Sequence, residues 1–453
     1  MVTMNHSKKT FDMLVCGGGF RGMLVAERLA STGKKVALIE SSPRLGGVLN
    51  SIPWEGYHLD IGCHLFDNSI AELTQLFFAI HDDFHPVEVT YHSVMANDAI
   101  ADNMASPDLT LMGAQADKVK LSLESVEAEQ QLANNYEQYL QARFGEYNAE
   151  FLTDCVAKKT GVAAKDLCHT AANVVLMNRV KLLPDHESKS LKEHSFYDER
   201  LAVPSASKPM MHYEAAEKAY PFRNFYPAKK GMGAFVESMQ SRLQQLGVNI
   251  VTAEKVVEID AGGMVKTDQS NYFSANSVIW SGELAFLEQV LFQRSTLLDA
   301  MQPVAVVLAY FEVPVSAVSD VTYLHDYRKD SACYRISTAG KYSKQIIDDK
   351  TYICCEVFTQ PGEKLWNISE DDYQSVWQQA VELGVVDCTT PLSVKVLKNS
   401  AAYRLPLVGY AQAAEQLSKD LQHQFSDIIT FGAPSFSKHK IYSEVSAMVE
   451  KLL

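Results

Sequence analysis

The run Gly17-Gly18-Gly19-Phe20-Arg21-Gly22 constrains this chain more than any other stretch, because its glycines fall at the spacing GxGxxG (17, 19 and 22). It follows Phe11–Cys16, a short apolar segment that reads as a strand. It leads into Met23–Ser31, where apolar residues recur at helical spacing (Met23, Leu24, Ala26, Leu29, Ala30). Gly33 ends that helix, and Val36–Ile39 reads as a second strand closing on Glu40. Each glycine has a mechanical task. Gly17 permits the tight turn out of the strand, Gly19 lets the backbone approach a pyrophosphate, and Gly22 lets helix and strand pack closely. Amides at the helix N-terminus, at Phe20 and Arg21, then face phosphate with the positive end of the helix dipole behind them. Glu40, about 20 positions on, is placed to accept hydrogen bonds from ribose hydroxyls. Together these features predict a dinucleotide-binding βαβ unit.

Composition narrows the partners. The formal charge is 41 − 55 = −14 over 453 residues, spread through the chain. Such a surface repels nucleic acid and anionic lipid, so an anionic ligand must be held by local cations or backbone amides. At 47% hydrophobic and 21% charged, the chain has the composition of a soluble globular protein. The stretch Met1–Thr10 is polar and basic and does not read as a signal peptide. The apolar run Val304–Phe311 is too short for a bilayer and reads as a buried strand, so no integral membrane segment is expected. The eight cysteines show no framework or metal spacing, and Cys354 and Cys355 would face opposite sides of a strand. Reduced core thiols and a cytoplasmic location are expected, with no metal site.

Further along, Ile70–Ile80, Ser125–Arg143 and Asn148–Val162 read as helices, with few strand signals before about residue 183. The polar run Pro184–Lys208 reads as a mobile loop or lid. Phe225–Gly233 has turn chemistry before a helix, Ala234–Leu246, and Gly247–Val251 begins another strand. Ser277–Trp280, Val304–Val313, Thr322–Leu324, Tyr334–Ser337 and Tyr352–Phe358 suit a sheet partly covered by helices. Ile428–Phe431 reads as a last strand and Ile441–Leu453 as an amphipathic closing helix.

NAD and FAD share the glycine fingerprint, so the cofactor needs a second signal. It lies in Ser42-Pro43-Arg44-Leu45-Gly46-Gly47. Here the sequence resembles the flavoprotein superfamily of amine oxidases, protoporphyrinogen oxidases, phytoene desaturases and UDP-galactopyranose mutases. The resemblance implies that Arg44 positions the phosphate and ribose region of FAD while Gly46 and Gly47 allow close backbone passage. Gly56-Tyr57-His58-Leu59-Asp60-Ile61-Gly62-Cys63-His64 resembles the segment that puts a glycine and a histidine, here Gly62 and His64, beside the isoalloxazine. Tyr136–Gly145 and Phe225–Gly233 resemble later family segments, and Val256 matches the residue whose backbone usually pairs with adenine. Tyr323–Asp326 and Tyr334-Arg335-Ile336 resemble substrate-facing strands, in which the arginine grips a diphosphate. A guanidinium fork suits phosphate oxygens on physical grounds as well. Ala402–Pro406 and Thr430-Phe431-Gly432 resemble the late segments that return to the flavin, with Tyr403 and Gly432 at the matching positions. Relatives follow that glycine with an arginine, whereas this chain has Ala433, and Phe436, His439 and Tyr442 only loosely echo what comes next.

The resemblance implies an α/β fold. A discontinuous Rossmann-like FAD-binding domain (1–75, 215–262 and 395–453) would combine with an α+β substrate domain. That domain would consist of a helical substrate/lid region (76–214) and a β-rich mixed sheet (263–394). Three functions stay open. The first is an FAD-dependent oxidoreductase that takes hydride from a small polar substrate onto flavin N5, in a pocket lined by His64, Met232, Tyr323 and Tyr403. The second is a mutase-like enzyme acting on a diphosphate-bearing sugar without net redox, with Arg335 and secondarily Arg404 on the diphosphate. The third is a non-catalytic flavin-binding protein, which Ala433 alone supports. Candidate catalytic residues are thus His64, Arg335 and Tyr403. Oligomeric state is not legible.

Overall fold

The computed structural model describes residues 9–126, 133–203, 222–432 and 435–452. Strand β1 (Lys9–Cys16) passes through the glycine turn into helix α1 (Phe20–Ser31) and β2 (Val36–Ile39). The helix begins at Phe20, three residues before its apolar repeat, because Gly19 in an extended conformation serves as its N-cap. Next come an antiparallel pair, β3 (Ser51–Trp54) and β4 (Tyr57–Asp60), and the short β5 (Phe66–Asp67). Helix α2 (Ala71–Ile80) falls where the apolar spacing predicts. Three strands then appear in a stretch expected to be nearly all helical: β6 (Phe84–Val87), β7 (Tyr91–Val94) and β8 (Ile100–Asp102). They are short and carry histidine, proline and aspartate, so they show no clean alternation; pairing with distant strands defines β6 and β7, and β8 pairs with β7.

Helices α3 (Ala116–Glu124), α4 (Tyr136–Phe144) and α5 (Glu146–Thr160) form the helical region. The single helix expected over Ser125–Arg143 is not present as such. Its C-terminal half is α4, which starts where the Asn135 side chain accepts a hydrogen bond from the Gln138 amide. Residues 127–132 lie outside the described residues. The polar run after Pro184 is ordered up to residue 203: it holds helices Asp185–Leu191 and Ser195–Asp198. Arg179, Lys192 and Arg200 tie it down through carbonyls and Asp198. Residues 204–208 of the expected lid lie outside the described residues.

Strand β9 (Asn224–Pro227) precedes the helix Met232–Gln245, which leads to β10 (Asn249–Val251), β11 (Val256–Ile259), β12 (Met264–Thr267) and β13 (Tyr272–Trp280). After them come β14 (Met301–Pro314), β15 (Tyr323–Asp326), β16 (Arg335–Ser337), β17 (Lys350–Phe358), β18 (Ser393–Pro406) and β19 (Ile428–Thr430). The last helix is Lys438–Leu452.

Two seven-stranded sheets organise these elements. The first runs β10-β2-β1-β13-β12-β11, with β19 also on β13, and β10, β2, β1, β13 and β19 are mutually parallel. The second runs β18-β14-β17-β16-β15-β7-β8. This pairing departs from the expected division in two places. β12 and β13 join the first sheet although they fall within 263–394, and β18 joins the second although all but its first two residues fall within 395–453. Both outcomes follow from register: β13 parallels β1 from Lys9 to Cys16, and β18 parallels no strand of the first sheet but runs antiparallel along β14. Strand β14 is buried over almost its whole length, as its apolar run predicts. Val306, Leu308 and Tyr310 pack toward the first sheet's core, while Val307, Ala309 and Phe311 pack outward against a helix that includes Trp377. Cys354 and Cys355 divide between the same two cores.

Candidate active site

The parallel strands β1, β2 and β13 all end on one side, and ligands of open α/β sheets bind outside such carboxyl ends. The glycine turn sits there under close steric control. Ser281, directly after β13, donates through Oγ to the carbonyls of Cys16 and Gly17 at 3.0 and 2.9 Å. A Cβ on Gly22 would stand 1.8 Å from the Gly17 oxygen, so helix and turn touch backbone to backbone. A Cβ on Gly19 would meet nothing within 4 Å, so the turn opens onto free space at the position where a pyrophosphate would approach. Glu40 accepts from the amides of Gly18 (2.6 Å) and Ser42 (2.7 Å), which holds the acidic strand end against the turn. Gly46 (φ +103°) donates its amide to the Gly18 carbonyl and is so close to Val236 that a Cβ would lie 2.7 Å from it. Gly47 (φ +55°) follows within the same loop.

From this turn a cavity of about 660 Å³ reaches across to the second sheet, a size typical of ligand pockets. Gly19, Phe20, Arg21 and Gly22 line it at one end, and Gly62, Cys63 and His64 line it where the chain leaves β4. Its far wall comes from one cross-strand row. His325 on β15 stands opposite Arg335 on β16, Arg335 opposite Glu356 on β17, and Glu356 opposite Leu308 on β14. Residues directly opposed on neighbouring strands share a face. This register is what gathers four residues from four separate segments, and all four line the cavity. Tyr334, Phe358 and Tyr403 complete that wall, with the Phe358 and Tyr403 rings edge to face.

Electrostatics sort the polar groups. Arg335 is bidentate on Glu356, Nε to Oε1 and Nη2 to Oε2, both at 2.7 Å. Burial alone would lower its pKa, but the Glu356 carboxylate outweighs that and raises it. The guanidinium that the resemblance assigns to a diphosphate thus already holds the Glu356 carboxylate. Arg404, the secondary candidate, pairs with Glu283 at 3.1 Å, sits over the Phe286 ring and does not line the cavity. Burial, then the nearby Lys438 charge, push the His64 imidazole down to about 3, and its Nε2 donates to the Ile61 carbonyl at 2.9 Å. His64 is thus a neutral, fixed wall of the cavity. Tyr403 stays a protonated phenol, its pKa raised by burial. Beneath Gly62, burial raises Asp60 to about 6, although Ser51 Oγ, the Tyr226 hydroxyl and the Met232 amide donate to its carboxyl.

Two residues expected over the ring lie elsewhere. The Met232 side chain is fully buried in the core, because its amide is committed to Asp60 at the helix start, and Tyr323 stacks on Tyr91 instead of lining the cavity. Arg44 is exposed on the loop, Val256 has its side chain in the core on β11, and Gly432 is exposed just after β19. None of these three lines the cavity. Sequence reasoning missed Glu356, Ser281, Lys159, Lys438 and the role of His325. A lone carboxylate in the otherwise apolar Tyr352–Phe358 was the one available signal.

The family described as flavin containing amine oxidoreductase matches residues 22–382. The chain belongs to that family. Among curated proteins it is 28% identical to the 1-hydroxycarotenoid 3,4-desaturase of a Flavobacterium species over 128 residues, 28% of this chain and 25% of that protein. It is 62% identical to glutathione reductase of Schizosaccharomyces pombe over 39 residues, 9% of this chain and 8% of that protein. The chain thus spans a quarter or less of the length of these curated relatives. Among solved structures, reduced UDP-galactopyranose mutase superposes with a TM-score of 0.73 at 15% identity, over 98% of this chain and 95% of that one. Putrescine oxidase bound to putrescine gives 0.64 at 13% identity, over 98% and 99%. These two likenesses establish a shared fold.

As a flavin containing amine oxidoreductase the chain has FAD for its cofactor, and the residues present suit it. The open cradle at Gly19 is one sign. The other is Arg21, which lines the cavity, pairs with Glu444 at 3.1 Å, and leaves its buried Nε without a partner. That donor and the amides at the start of α1 would meet the cofactor's phosphates. Among the described residues, no helix is long and apolar enough to cross a membrane.

Proposed function

We propose that this chain is an FAD-dependent oxidoreductase that takes a hydride from a small polar substrate onto flavin N5. One observation carries the reading: the glycine turn and the His325–Tyr334–Tyr403 wall open on the same cavity, so cofactor and substrate ends share one enclosed space. When bound, FAD supplies the hydride acceptor. The chain's own residues bind and orient. Gly19, Phe20, Arg21 and Gly22 cradle the phosphates, and Glu40 stands at the ribose. Gly46, Gly47 and Gly62 let backbone pass close, Arg44 and Gly432 flank the cofactor, and the backbone of Val256 meets adenine. His64, held neutral with its one ring proton committed to the Ile61 carbonyl, presents a fixed surface to the ring and takes up no second proton. Val306, Leu308 and Phe358 keep water from the reacting atoms, while the phenol of Tyr403 offers a hydrogen bond to the substrate. A cytoplasmic location belongs to the same reading, since eight free thiols persist in a reducing compartment.

The alternative, isomerisation of a diphosphate-bearing sugar, relied on arginines in need of an anion. Glu356 and Glu283 already satisfy them, so hydride transfer is the better-supported reaction. Ala433, the one support for a non-catalytic role, lies outside the described residues. Anaerobic mixing of the FAD-loaded protein with small amines, alcohols and amino or hydroxy acids tests the proposal. The expected result is loss of oxidised-flavin absorbance, recovered on adding an electron acceptor. Conversion of a nucleotide sugar by dithionite-reduced protein, with no reductant consumed, would overturn it.

A further inference from the structure

Lys159, in the last turn of α5, reaches the cavity from the helical region. Its Nζ donates to the Val175 carbonyl and stands 5.8 Å from the Tyr334 ring centroid. Among the described residues no carboxylate pairs with it. The other cations of the cavity differ: Arg335 has Glu356, Arg21 has Glu444, and Lys438, at the cofactor end, has the Leu65 carbonyl and the Asp67 charge nearby. Burial, then the charge of Arg335, bring the Lys159 amine down to about 8, so it remains mostly charged at neutral pH.

Two further polar groups beside it are unmet. His325 stacks on Tyr334 with ring centroids 4.8 Å apart. Its Nδ1 lies 2.9 Å from the Ala105 carbonyl, which can only accept, so Nδ1 carries the hydrogen. Burial, then Arg335, hold this imidazole neutral, which makes Nε2 a bare acceptor, and that atom is buried without a partner. The Tyr334 hydroxyl is also buried and makes no hydrogen bond of good geometry, although the Tyr327 hydroxyl lies close by. Each buried polar group without a partner carries an uncompensated desolvation cost. A lysine that merely bonded the Val175 carbonyl would leave the other two unexplained.

We infer that Lys159 anchors a carboxylate on the substrate, with His325 Nε2 accepting from an amino or hydroxyl group of the same molecule. This rests on the oxidoreductase reading only for calling the occupant a substrate. Charge balance at the substrate end selects the class: there, among the described residues, Lys159 is the cavity cation with no carboxylate beside it, and it calls for one negative charge, whereas a diphosphate brings two.

Titrating the FAD-loaded protein with benzoate, its neutral isostere benzamide, and UDP, read as perturbation of the flavin spectrum, tests the inference without turnover. The wild type should bind benzoate at least about tenfold more tightly than benzamide. Lys159→Met should weaken benzoate about 10- to 100-fold, leave benzamide unchanged, and be largely rescued in Lys159→Arg. Three results would overturn the inference: no saturable benzoate binding, equal benzoate and benzamide affinity, or unchanged benzoate affinity in an FAD-replete Lys159→Met. UDP binding that exceeds benzoate binding and depends on Lys159 would also overturn it, in favour of a diphosphate. If Lys159→Met fails to load FAD, the wild-type benzoate-to-benzamide ratio still decides. Should the carboxylate bind as expected while no carboxylate bleaches the flavin, the anchor stands and the redox reading falls.

Discussion

The two ends of the cavity are built on opposite principles. The cofactor end is made chiefly of backbone: amides at the start of α1, carbonyls pinned by Ser281, and glycines whose missing side chains define the space. Most of its parts fall between residues 16 and 47. The substrate end is made of side chains. His325 bonds across 220 positions to Ala105, Arg335 meets Glu356 on the next strand, and Lys159 arrives from a helix. A backbone site tolerates little change at a few glycines, whereas a side-chain site can be retuned one residue at a time. A family can therefore keep one cofactor while its substrates diverge.

The largest effect that would sharpen this contrast is expected at Gly22. Gly22→Ala puts a methyl 1.8 Å from the Gly17 oxygen, so purified protein should carry essentially no flavin, read as the flavin-to-protein absorbance ratio. Normal FAD content would break the claim that backbone contact builds this end. At the other end, Glu356→Gln strands the Arg335 guanidinium with no counter-charge in a mostly buried position. A loss of about 3–5 kcal/mol is expected from denaturant midpoints, with much of it recovered when Arg335→Met is added. No recovery in the double variant would show that the pair contributes more than charge balance.

Between the two ends lies Asp60, raised by burial from 3.8 to about 6. A carboxyl held above its unfolded value leaves the folded state with more bound protons inside that window. Stability should therefore fall as pH rises from about 4 to 6, by at most ~3 kcal/mol from this group. Asp60→Asn should flatten that slope in urea midpoints taken across the range; an unchanged slope would mean that the hydrogen bonds from Ser51 and Tyr226 keep Asp60 ionised. The smallest effect is expected at Arg404, whose partly exposed pair with Glu283 lies outside the cavity. Arg404→Ala should cost about 0–1 kcal/mol and leave FAD content unchanged. A marked loss of flavin would extend the cofactor end farther than the geometry does.

Legibility follows the same division. The turn at Gly17–Gly22, the acidic strand end at Glu40 and the Gly46–Gly47 loop were readable because local spacing alone determines what backbone can do there. Helix α2 and strand β14 were readable because their apolar repeats are long and uninterrupted. Strands β6 and β7 and the start of α4 were not, since pairing partners far away in sequence and a single capping asparagine decide them. Arg335 stood out in the sequence and lines the cavity, yet the carboxylate that occupies it sits 21 positions on, in a strand that otherwise looks like plain core. By itself, then, the sequence determined the cofactor and the superfamily, because backbone freedom and dipoles are local properties. Only the tertiary structure decided which charges remain unbalanced in the cavity, because a register that sets His325, Arg335 and Glu356 side by side exists only once the second sheet has formed.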